Sequence, residues 1–79
     1  MDYIIKFGKY VRHIRTKKGM TQLELSLKIF DKPNYEYVGR LERGELDGIT
    51  FRTVQKILVA LDCEMEFSQF ESFVTDSYQ

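Results

Sequence analysis

Histidine and cysteine, the side chains most used as ligands and nucleophiles, occur once each in this sequence, as His13 and Cys63. A lone thiol closes no internal disulfide, and neither group has the company that a metal site or a nucleophile–base pair needs. No glycine-rich phosphate loop and no Ser/His/Asp set supplies an alternative, so neither enzyme chemistry nor a cofactor is expected. The residues able to act together are the cations. Residues 1–43 hold ten Lys/Arg (6, 9, 12, 15, 17, 18, 28, 32, 40 and 43) against five Asp/Glu (2, 24, 31, 36 and 42). Residues 44–79 hold two (52 and 56) against seven (45, 47, 62, 64, 66, 71 and 76). A formal net charge of zero therefore hides halves of opposite sign. A basic half suits a polyanion, held by ion pairs that weaken with salt. The plain alternative is solvated surface charge.

Helices must carry these cations. Ile4, Phe7, Val11 and Ile14 recur at helical spacing and predict a first helix over about 3–18, ended by Gly19. Its other face carries Lys6, Lys9, His13 and Lys17. Thr21 with Glu24 three residues on is a capping box, opening a short helix with Leu25 and Ile29 on its apolar face. Asp31-Lys32-Pro33-Asn34 breaks the pattern, because Pro33 cannot sit inside a helix. Asn34 is a good cap for a third helix over 35–43, with Val38 and Leu41 inward and Gly44 as its stop. After a turn at 45–48, Thr50 caps a fourth helix with the stripe Phe51, Val54, Ile57, Leu58 and Leu61.

A chain of 79 residues, 43% of them apolar, has enough for one small all-α domain of four to five helices. We read residues 1–62 as that domain and 63–79 as a C-terminal segment. No apolar run approaches the ~20 residues of a membrane span, and the N-terminus lacks a signal-peptide core. With a single cysteine, the cytoplasm is the expected compartment, without a membrane partner.

The stretch Gly19-Met20-Thr21-Gln22 through Leu41-Glu42-Arg43-Gly44 resembles the λ-repressor/Cro (XRE-type) helix-turn-helix family, over about residues 4–62. Leu25-Ser26 stands for the family's Leu-Ala pair and Leu41-Glu42-Arg43-Gly44 for its Ile-Glu-x-Gly ending. The resemblance implies a transcriptional regulator that binds double-stranded DNA as a homodimer on a near-palindromic operator. It assigns Gln22, Tyr35, Glu36 and Arg40 to the major-groove face, with Arg12, Lys17 and Arg43 as backbone contacts. It pairs Arg15 with Glu42, joining the first helix to the end of the third, and puts the small Ser26 where two helices cross. The sequence departs from the family in three ways. The turn holding Pro33 is longer by about two residues, Glu36 is an acid at a base-contact position, and Glu45–Asp47 is an acidic loop. Two further functions stay open: an antitoxin-type autoregulator with a toxin partner, and a protein-binding adaptor that has lost DNA.

The C-terminal segment has two readings. Cys63, Met65 and Phe67 alternate with polar residues as in a strand, whereas Cys63, Phe67, Phe70 and Val74 also fit a helix. In either form Met65, Phe67, Phe70, Phe73 and Val74 follow a helix that has already closed the core. They are therefore expected to make the dimer contact.

Overall fold

The computed structural model of the protein describes residues 3–61. Among these residues the fold is all-helical and without strands: α1 (Tyr3–Lys17), α2 (Gln22–Phe30), α3 (Tyr35–Glu42) and α4 (Phe51–Ala60). The domain boundary at 62, and the strand and fifth-helix readings of the tail, lie outside the described residues. So do Met65, Phe67, Phe70, Phe73 and Val74. No helix among the described residues is long and apolar enough to cross a membrane.

Both glycine stops have the geometry that ends a helix. Gly19 and Gly44 sit at φ 68° and 72°. In each case the next residue's N–H reaches back over the last turn, Met20 to the Arg15 carbonyl at 3.1 Å and Glu45 to the Arg40 carbonyl at 2.9 Å. These bonds satisfy carbonyls that the helix leaves open. The start of α2 is closed reciprocally: the Glu24 N–H donates to Thr21 Oγ1 at 3.0 Å and the Thr21 N–H to Glu24 Oε1 at 2.8 Å. The backbone bond from Thr21 is the main reason why the Glu24 carboxyl lies below its ordinary pKa, with the Thr21 side-chain bond second. Thr21→Ala should lower stability by about 1 kcal/mol, read from thermal melts. The Glu24 carboxyl binds its proton less readily when folded than when unfolded. Its contribution is therefore complete above its ordinary value, 4.5, and is lost as pH falls through the lowered one. The gap between parent and Thr21→Ala should narrow on acidification through that range.

Asn34 departs from expectation. Its side chain makes no capping bond. Instead its N–H donates to Ser26 Oγ at 3.1 Å, while the Ser26 hydroxyl donates to the Leu23 carbonyl at 2.7 Å. The buried Ser26 is thus a polar pin tying the end of the Pro33 turn to α2, more than a spacer between helices. Phe30 and Tyr37 cover that turn edge to face, ring centres 5.0 Å apart. Partial burial raises the Tyr37 phenol pKa.

The core unites Phe7, Tyr10 and Val11 of α1, Leu25 and Ile29 of α2, Val38 and Leu41 of α3, and Ile57, Ala60 and Leu61 at the end of α4. α3 packs on α1 and α2, and α4 packs on α2. Two expected surfaces change sides. Lys6, read as part of an exposed basic stripe, is buried, because the covered band of α1 is wider than one row and takes in 6, 7, 8, 10 and 11. A long aliphatic stem can line such a band. Phe51, read as part of the core stripe, is 56% exposed. It is the first residue of α4, while the core lies under its last turn.

Candidate nucleic-acid interface

Of the eight residues of α3, all but the half-buried Tyr37 are either buried or exposed. Val38, Gly39, Leu41 and Glu42 are buried, whereas Tyr35, Glu36 and Arg40 are exposed. Glu36, Arg40 and the capping residue Arg43 are spaced four and three apart, so they share one outer stripe of the helix. Two apolar anchors on one side therefore leave a polar ridge on the other.

What fixes this helix is its last residue. The Glu42 side chain is only 3% exposed and meets Arg15, itself 12% exposed, in a two-pronged ion pair. Arg15 Nε donates to Glu42 Oε2 at 2.6 Å and Nη2 to Oε1 at 3.0 Å. The third arm, Nη1, donates to the Met20 carbonyl at 2.7 Å. Gln22 completes the cluster, its Nε2 donating to Glu42 Oε1 at 3.1 Å. One carboxylate thus accepts three bonds from two helices, which is how a buried charge is kept without large cost. The planar guanidinium fork supplies the match; an ammonium would not.

Gln22 thus has a protein partner that its expected role does not include. One N–H of its amide donates to Glu42, and the residue is half-buried. Nothing in the sequence shows this bond, because residues 22 and 42 meet only once α2 and α3 have packed. Arg43 is exposed and pairs with Glu45, Nε to Oε2 at 3.0 Å. That hydrogen bond raises the Arg43 pKa and lowers that of Glu45. Arg40 also reaches the Glu45 carbonyl, at 3.4 Å. The acidic loop thus lies against both cations of the ridge. Exposed pairs of this kind are weak and exchange readily with a phosphate. Arg12 and Lys17 stand exposed on α1 and enter no ion pair among the described residues. His13 is exposed beside them.

No group of His, Cys, Asp and Glu able to hold a metal occurs among the described residues. The arrangement offers cationic donors and a carboxylate acceptor on one exposed stripe of α3, with further exposed cations on α1. Compared with family models, with curated proteins and with solved structures, the chain finds no match.

Proposed function

We propose that this protein is a sequence-specific DNA-binding regulator of the λ-repressor/Cro-like helix-turn-helix type, acting as a homodimer through residues 63–79. In this reading α2 and α3 are the helix-turn-helix pair and α3 is the recognition helix. The observation that carries it is the exposed ridge of Tyr35, Glu36 and Arg40 on a helix locked from behind by Arg15–Glu42. A major groove about 12 Å wide admits one helix, and readout needs that helix to be held in one orientation. Arg40 would take guanine edges and Glu36 the amino group of cytosine. Arg12, Lys17 and Arg43 would hold phosphates.

The test is duplex selection from a random pool at low salt, followed by binding across a salt series. Affinity should fall steeply as salt rises, with a slope set by the number of phosphates held. Arg40→Ala should cost about 1–3 kcal/mol on the selected site and relax its sequence preference. Lys17→Ala should weaken every duplex alike and flatten the salt slope by about one unit. Equal losses on all sequences for both variants would remove the assigned roles. No binding to any duplex at low salt would favour the protein-binding adaptor, the reading suited to an acidic loop that already engages Arg40 and Arg43.

A further inference from the structure

We propose that the groove between α2 and α4 is the seat of the acidic, aromatic segment 62–79 of a second copy of this chain. The proposal rests on the homodimer reading above and names the surface that receives the tail. The groove has a volume of about 560 Å³. Ile29, Val59 and Ala60 form its apolar floor, and Lys28 of α2 with Arg52 and Lys56 of α4 form its rim; no acid among the described residues lines it. Val59 is 77% exposed, the most open large apolar side chain among the described residues. None of the three rim cations enters an ion pair among the described residues.

Charge complementarity selects the occupant. Residues 62–79 carry five acids, at 62, 64, 66, 71 and 76, and no Lys or Arg. Between those acids lie Met65, Phe67, Phe70, Phe73 and Val74. An apolar floor with a cationic rim matches an apolar segment flanked by carboxylates. Arg52 and Lys56 are also the only cations after residue 43, so the acidic half of the chain reserves both for this face.

Sequence around the helix ends points to a second copy. The chain turns away from α1, α2 and α3 through Gly19, Asp31 and Gly44, all at positive φ. Leu61 instead caps α4 in the ordinary right-handed region, without the left-handed residue that ends the other three. A tail that fills its own groove must reverse along α4 at once, whereas the tail of a second copy enters without that reversal. Two grooves and two tails then close a two-fold contact. No residue of α3 lines the groove, so such a contact does not use Glu36, Arg40 or Arg43.

The experiment mixes ordinary and ¹⁵N-labelled full-length chains, joins adjacent amines and carboxylates with a zero-length carbodiimide, and sequences the linked peptides. Mixed-isotope links from Lys28 or Lys56 to Glu64, Glu66 or Glu71 are expected. Links of a single isotope only would put the tail on its own domain and overturn the proposal. Sedimentation gives the second readout. Lys56→Glu with Val59→Glu should weaken self-association by about tenfold or more, because both residues are exposed in the single chain and engaged only in the pair. Far-UV dichroism checks that the variant folds, and Lys28→Glu is the substitute. If the groove variants dimerise like the parent while Phe67→Glu is monomeric, the groove is wrong and the tail-mediated dimer stands. A parent that is monomeric at micromolar concentration would overturn both.

Discussion

Glu42→Ala should melt far below the parent protein. Removing one partner of a buried ion pair costs about 3–5 kcal/mol, since the other charge stays behind without compensation. Here the loss strands two groups. The Arg15 guanidinium keeps only the Met20 carbonyl, and the Gln22 amide loses its acceptor. In a domain of this size each kcal/mol moves the midpoint by about 4–8 °C, so a drop of at least about 12 °C is expected. Total stabilities of about 5–15 kcal/mol leave little margin for such a change. Arg15→Ala should be comparably harmful. The double variant should lose less than the sum, because it leaves no lone charge. Thermal melts of the four proteins measure the coupling directly. A midpoint for Glu42→Ala within a degree or two of the parent would reduce the pair to surface decoration, and would remove the reason to regard α3 as locked.

How much of this was legible depends on the distance over which each feature is decided. Helix starts and stops are local. Thr21 with Glu24, Thr50, Gly19 and Gly44 each announce an end through their own backbone or side-chain chemistry, and the helices end there. The inward rows of α2 and α3 follow from period alone, and Leu25, Ile29, Val38 and Leu41 are buried. Asn34 misled because its usual capping role gives way to a tertiary partner: Ser26 offers the Asn34 N–H an acceptor across the Pro33 turn. Lys6 and Phe51 depart from expectation for a related reason. Periodicity gives the direction of a face, whereas the width and depth of its cover depend on which helix arrives and where. Of the proposed DNA-contact residues, Tyr35, Glu36 and Arg40 could be placed on an exposed face by the same period that buries Val38. The bond from Gln22 to Glu42, and the Arg43–Glu45 pair, are products of packing and loop conformation that no spacing rule contains.

Gly8→Ala should also be among the most damaging single changes, although it adds one methyl group. By helix propensity alone the substitution favours folding by about 0.5–1 kcal/mol, because alanine loses less freedom than glycine. Position 8 is buried in the middle of α1, and a Cβ built there falls far inside contact distance of the Leu41 carbonyl oxygen. It also stands 3.0 Å from the Leu41 carbonyl carbon and 3.4 Å from the Glu42 Cα. All three atoms are backbone, so none can swing aside like the end of a side chain. The two helices must separate, at a cost of about 3 kcal/mol or more, which outweighs the propensity gain. Separation would fall on the residues that hold α3: Leu41, fully buried, and Glu42, paired with Arg15 across the same contact. The expected result is therefore a large loss of stability together with a weaker Arg15–Glu42 coupling in a double-mutant cycle. Gly48→Ala is the control. A Cβ at Gly48 meets nothing within 4 Å, so that variant should melt within about 0.5 kcal/mol of the parent. If Gly8→Ala were as stable as Gly48→Ala, α1 and α3 would not approach through this glycine. The close backbone contact behind α3, on which its fixed orientation depends, would then have to be abandoned.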